Sequence, residues 1–388
     1  MRNKIFRLVI VAALMSVAVC GCQKAPESSS NGDILHAKGS VENEVEAIVN
    51  EGGTGKEENT LKEINCTIGT EDNAIRIQAQ MPDMPENIYN MVLGENDTLT
   101  KDLLKDFLGS NSGTIDDLSE EVKKEREKLE VENEQSDERA LFSVFGNDSV
   151  YELSDGQKSA SFSNGTSAYY EDEILREKCI SAYKSGSETV LNQVDHKDDY
   201  RKMEELLLDK LSKIDLTEIY IYKITSYQNE SVTFYEVKFT PSYEGMGVVH
   251  EFGSVVYGEV QPLGDAWVCE DDIVTLSLDS SLGKVEKQEK CETVLSWGQI
   301  EQILEVNLNN GKINGSDSDK AVLTNVEFLY YPVFQEDENR LVLVPVWHIY
   351  TPLSVWLENE ELSEAFTTNG AASSICVNAV SGEIVRVE

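Results

Sequence analysis

The sequence predicts an α+β fold of mainly antiparallel sheets with packed helices, its C-terminal half a duplicated helix-plus-sheet unit. Three observations predict it. Apolar and polar residues alternate with period two on both sides of short Gly, Asn and Asp turns, which is the pattern of half-buried hairpins. Two amphipathic helices, Tyr200–Ile214 and Trp297–Leu308, are each followed by aromatic-rich strands in the same order. The regular strand–helix alternation of a parallel sheet is missing.

The chain opens with an address. Arg2, Lys4 and Arg7 precede a 12-residue apolar run, Leu8–Val19, too short for a bilayer span of about 20 residues. Val19-Cys20-Gly21-Cys22 follows and resembles the lipobox of bacterial lipoproteins, in which a cysteine after a small residue is lipidated. Gly21 makes Cys22 the expected lipidated residue; Val19 is too large to do the same for Cys20. The expected location is the extracytoplasmic face of the cell membrane, held by lipid.

Removing residues 1–21 takes three of the 33 basic residues, leaving 30 against 71 acidic ones, a net charge of −41. Such a surface repels nucleic acid and anionic headgroups. Acyl chains therefore have to supply membrane affinity. The remaining 367 residues exceed what one core usually organises, so more than one domain is expected. The expected divisions are a flexible tether over 23–60, an N-terminal α+β domain over 61–195 and a duplicated C-terminal domain over 196–388.

The tether is rich in Ser, Gly, Glu and Asn, with a short helix near Val41–Val49. Ile64, Cys66 and Ile68 form one arm of a hairpin, and Ile75, Ile77, Ala79 and Met81 the other, around Thr70–Asn73. Met84–Leu93 reads as a third strand. Leu99–Leu108 reads as a helix closed by Gly109. Asp116–Arg139, charged throughout, reads as a solvated helix with Leu118, Val122 and Leu129 as its thin apolar stripe. Short strands are expected at Phe142–Phe145, Val150–Leu153, Ala160–Phe162 and Ala168–Tyr170.

The repeat begins after residue 195. One copy starts with helix Tyr200–Ile214, the other with Trp297–Leu308, opened by the capping-box pair Ser296 and Gln299. Strands opening at Leu216–Ile219 and Leu323–Val326 turn near Gln228 and Gln335 into Val232–Thr240 and Leu341–Thr351. Each copy closes on a β run with a glycine, Ile273–Val285 with Gly283 and Ile375–Val387 with Gly382. The expected units are 197–293 and 294–388, with Ile300, Ile303 and Leu304 buried on Phe328–Tyr330 and Val342–Trp347.

The run from Tyr235 to Glu388 resembles the C-terminal part of uncharacterised lipoproteins of clostridial-type Gram-positive bacteria, a family of unknown function. Tyr235-Glu236-Val237-Lys238-Phe239, Leu295-Ser296-Trp297 and Leu343-Val344-Pro345-Val346-Trp347 carry the resemblance. The closing Val377-Asn378-Ala379-Val380-Ser381-Gly382-Glu383-Ile384 is similar to the last strands of PepSY domains and of YycH/YycI-type regulators of a histidine kinase. The resemblance implies a protein-binding or regulatory role outside the cytoplasm and brings no site residues.

Chemistry is sparse. Ser181-Ala182-Tyr183-Lys184 and Ser281-Leu282-Gly283-Lys284 match a loose S-x-x-K, without the Ser-Asp-Asn and Lys-Thr-Gly elements that give it meaning. The Asn309–Lys320 loop lacks EF-hand spacing. His348, between large apolar residues, reads as structural. After the anchor, Cys66, Cys179, Cys269, Cys291 and Cys376 form no C-x-x-C pair and leave at least one unpaired. Cys269 and Cys291 are expected close together across the Ile273–Val285 hairpin. No cofactor, metal or catalytic residue is assigned. The expected function is non-enzymatic binding or regulation of another envelope protein; the alternative is a solute-binding lipoprotein or an envelope hydrolase.

Overall fold

The computed structural model describes residues 38–50, 62–94, 99–110, 112–124, 149–163, 167–193, 195–250, 264–278, 283–316, 322–335, 340–352, 355, 359–360, 361–368 and 370–387. Cys22, most of the tether, Phe142–Phe145 and most of the charged run to Arg139 lie outside these residues. The chain divides into two units, Met1–Glu42 and Asn43–Glu388. The described part of the first is the opening of helix α1 (Lys38–Asn50). The second holds the sheets. The expected α+β class is the observed one.

Helix α1 contains the short helix expected near Val41–Val49 and extends beyond it at both ends, and it is packed instead of lying free in a tether. Val45, Ile48 and Val49, spaced to share one helical face, pack onto a core instead of leaving the segment in solvent. Strands β1 (Glu63–Thr70) and β2 (Asn73–Gln80) form the expected hairpin, with Thr70 opposite Asn73 across Glu71-Asp72. Ile75 and Ile77 are fully buried. The expected third strand is β3 (Tyr89–Leu93), which leaves the hairpin and joins a different sheet. Helix α2 (Leu103–Leu108) ends at Gly109, left-handed at φ 75°. The expected charged helix opens differently. Asp116–Asp117 is a strand, β4, paired to β5 (Val150–Ser154), and only 119–124 of the described residues are helical.

From β5 the chain zigzags through β6 (Lys158–Ser163) and β7 (Ser167–Asp172) into helix α3 (Glu173–Ser185). Asp172 caps α3, its carboxylate accepting from the backbone of Ile174 and Leu175 at 3.1 Å each. Strand β8 (Ser187–Val190) follows, then helix α4 (Lys197–Leu211) with a 3-10 turn, Ser212–Ile214. Strands β9 (Ile219–Gln228), β10 (Thr233–Tyr243), β11 (Met246–Gly247), β12 (Gly264–Cys269) and β13 (Asp272–Leu278) complete the first copy. β10 runs through the expected stop at Thr240-Pro241. Its pairing with β12 ends at Phe239, so Pro241, which has no N–H to give, faces a partner on one side alone.

Strand β14 (Val285–Lys290) leads to helix α5 (Trp297–Asn309), β15 (Val322–Leu323), β16 (Asn325–Gln335), β17 (Arg340–Tyr350), the short helix α6 (Glu360–Ser363), β18 (Ser374–Asn378) and β19 (Ile384–Val387). Among the described residues the strands make three sheets. One joins β1, β2 and β15; a second runs β14-β3-β17-β18-β19 with β16 on the other edge of β17. The long one runs β4-β5-β6-β7-β13-β12-β10-β9-β8, with β11 paired to β10. Strands from 61–195 are therefore shared among all three sheets rather than gathered into one. β7 extends the repeat sheet at β13, and β3 lies beside Leu341–Leu343 of β17.

The two copies share the order helix then four antiparallel strands, β9-β10-β12-β13 and β16-β17-β18-β19. The expected glycine equivalence is wrong. Gly382 turns the β18–β19 hairpin, whereas Gly283 leads from β13 in the long sheet to β14 in another. The turn matching Gly382 is β12–β13, where Glu270 takes the positive φ, 59°. Ile300, Ile303 and Leu304 are fully buried, in one core with Phe328, Tyr330, Leu343 and Trp347, as the helix pattern required.

Candidate functional site

Strand alternation sends every second residue to the far face of the β16–β17 sheet, away from α5. On that face β17 presents His348 and Tyr350, β16 presents Glu327 and β18 presents Ser374. β9 supplies Tyr220 and Tyr222 by the same two-residue rule, and His250 arrives from beyond β11, whose extension pairs Val248 with Tyr330.

These side chains meet. Glu327 accepts from the Tyr220 hydroxyl at 2.9 Å through one oxygen and from the Tyr350 hydroxyl at 2.9 Å through the other. His250 Nε2 lies 3.5 Å from both Glu327 Oε2 and the Tyr350 hydroxyl, a weak contact by length. Its ring packs on Tyr222 at 3.8 Å. His348 stacks on Tyr350 at 4.2 Å and places Nε2 3.1 Å from the Ser374 hydroxyl. Tyr350 reaches Glu327 diagonally across the strand pair, since His348 is the residue opposite Glu327.

Burial sets the protonation. It pushes the His348 imidazole down to about 3 and holds His250 well below its usual value, with His348 adding to the latter. Both rings are thus neutral near pH 7. Tyr220 is held protonated by burial and then by the Glu327 carboxylate beside it. The Nδ1 of His250 has no hydrogen-bond partner among the described residues.

A cleft of about 270 Å³ opens beside Tyr220, lined also by Tyr200, Glu204, Glu218 and Ser242. Burial and then Glu205 raise the Glu204 carboxyl. Elsewhere, the Lys210 ammonium lies 3.6 Å from the centre of the Tyr170 ring and 5.0 Å from that of Phe107. Burial, with Lys158 adding, pushes it down to about 7, while the ring faces favour the charged form.

Of the residues singled out from sequence, His348 is buried where expected and Cys22 lies outside the described residues. Ser181 and Lys184 sit on α3, Ser181 on its exposed side. Among the described residues no group of three or more His, Cys, Asp or Glu is placed to hold a metal ion, and no helix is long and apolar enough to cross a membrane. Tyr220, Tyr222, His250 and Glu327 were missed. Alternation could have paired His348 with Tyr350, but nothing local links residues from β9, from the segment after β11 and from β16.

Cys269 and Cys291 are not neighbours in the way expected. Cys269 packs under α3 with Cys179, and Cys291 packs against the α5 core. β13 pairs back onto β12 and forward onto β7, so the expected hairpin through Gly283 does not form.

No family model matches the chain, and no curated protein matches it. Among solved structures, an uncharacterised protein from Eubacterium rectale is similar at a TM-score of 0.46 and 14% identity, over 90% of this chain and 99% of that one. YycH from Bacillus subtilis is similar at a TM-score of 0.26 and 13% identity, over 52% of this chain and 41% of YycH. At TM-scores this low neither likeness bears on function, and the resemblance of the closing residues stands on those residues alone.

Proposed function

We propose that this chain is a lipid-anchored lipoprotein of the extracytoplasmic membrane face that binds and regulates another envelope protein without catalysing a reaction. The anchor rests on the basic start, the short apolar run and Gly21-Cys22. The non-catalytic reading rests on one observation. Both oxygens of Glu327 are taken by tyrosine hydroxyls, so this half-buried carboxylate is spent on joining β9 to the β16–β17 sheet. A net charge of −41 on the lipidated chain favours a partner with a basic face and an association that weakens with salt.

The test is crosslinking at the cell surface, with an equally anchored unrelated lipoprotein as control. The wild type should carry acyl mass on Cys22, fractionate with the membrane and give a discrete crosslinked partner whose yield falls with salt. Cys22→Ala should lose the membrane fraction. An unmodified N-terminus elsewhere removes the anchor, and crosslinks identical to the control remove the binding role.

A further inference from the structure

Helix α3 lies on the face of the long sheet opposite α4. Its buried residues, Cys179 and Ala182, pack with Leu175 onto Tyr227, Phe234 and Val274. Alternation along β12 sends Ala266 and Val268 to the α4 side and Trp267 and Cys269 to the α3 side. Two cysteines far apart in sequence are thereby brought together beneath one helix. Both thiols pack into the same small buried cluster beneath the helix, near enough for each to shift the other's protonation. The Cys269 thiol in turn lies 3.7 Å from the carbonyl oxygen of Thr233.

We propose that Cys179 and Cys269 are disulfide partners, a covalent link fastening α3 to the long sheet. Both are thiols in this structure, as are Cys66, Cys291 and Cys376. The other three sit elsewhere: Cys66 and Cys291 border the α5 core, and Cys376 lies on the opposite face of the β18 sheet. The bond forms by two exchanges with a disulfide oxidant. The thiolate of one cysteine attacks the oxidant and releases one of its sulfurs as a thiolate. The second cysteine's thiolate attacks the resulting mixed disulfide and releases the other. Two electrons pass to the oxidant, which ends as two thiols carrying the two protons.

Burial sets the timing. It pushes the Cys179 thiol up to about 12 and raises that of Cys269, and a protonated buried thiol exchanges slowly. The link therefore closes as the chain folds, before α3 seals β12. It rests on the proposed extracytoplasmic location only for its oxidant, since that compartment favours disulfides.

The full chain, extracted from membranes, is reduced in denaturant and returned to buffer containing glutathione and its disulfide. After acid quenching, alkylation and digestion, one linked peptide should join Cys179 to Cys269. Its denaturation midpoint should exceed that of the reduced protein, a difference that disappears on adding dithiothreitol and is absent in Cys179→Ser. Alkylated Cys179 and Cys269, or either linked to a different cysteine, overturns the proposal, and this reading needs no variant to fold. Acid-trapped cells separate the two proposals. A link that forms in glutathione but is missing in cells supports the pairing and counts against the extracytoplasmic location.

Discussion

His348 shows what one residue contributes here. Its ring is fully buried, stacked on Tyr350, and neutral down to about pH 3, against an ordinary value of 6.5. The sign follows from proton counting. Between pH 6.5 and 3 the unfolded chain binds a proton that the folded chain refuses, so stability falls with falling pH across that window. Each unit of pH within it costs about 1.4 kcal/mol for one such group. Urea titrations should show this slope, and His348→Gln should flatten it even if stability at pH 7 drops. An unchanged slope would mean that the ring is protonated in the fold. Gly382 is a second single-residue constraint. Its φ is 71°, and a Cβ there would lie 2.8 Å from Ile303 Cδ1 and 3.1 Å from Val45 Cγ1. Gly382→Ala should cost about 1–3 kcal/mol by denaturation, from left-handed strain with the clash added. A neutral result would remove α1 and α5 from this turn.

At the scale of the element, α5 is the most constrained helix of the repeat. Trp297 meets Trp347 edge-on at 5.6 Å, and Ile300, Ile303 and Leu304 are fully buried. The Gln299 side chain accepts from the Ser296 backbone at 3.1 Å and donates to the Ile48 carbonyl at 3.0 Å, tying α1 to the start of α5. Ile303→Ala should therefore cost about 2–5 kcal/mol, the range for a large core truncation. A loss below about 1 kcal/mol would require the site to collapse around the smaller side chain. The sequence of 38–50 suggested a short helix within a solvated tether because α1 shows only a thin apolar stripe. Val45, Ile48 and Val49 are ordered by the surface they cover, not by their own propensity.

At the scale of the whole molecule, strands are lent between sheets. β3 from the first hundred residues lies between β14 and β17, and β7 extends the sheet of the first copy. Neither copy keeps its sheet to itself. Trp267 reports on the long sheet, and Trp297 and Trp347 on the α5 core. Single-tryptophan variants retaining Trp267 or Trp347 should therefore give coincident urea transitions, matching far-UV circular dichroism. Separate transitions would show that the shared strands do not couple the cores.

Period-two alternation and the two helical faces were enough to place β1–β2, the α4 and α5 faces, and the order of β9–β10 and β16–β17. Those are local properties: a hairpin register follows from its turn, and a helix face from spacing along one segment. The proposal of Cys22 as the lipidated residue likewise rests on sequence alone. Which sheet β3 would join, and that β13 would turn back at Glu270 rather than onward through Gly283, depended on long-range pairing energies that no short window contains. The same holds for the site. Glu327 is one acid among 71 until β9, β16 and β17 bring Tyr220 and Tyr350 to its two oxygens. Cys269 likewise finds Cys179 only because α3 packs across β12. Contacts between residues tens to hundreds of positions apart are decided by how faces cover one another, and that choice belongs to the tertiary structure.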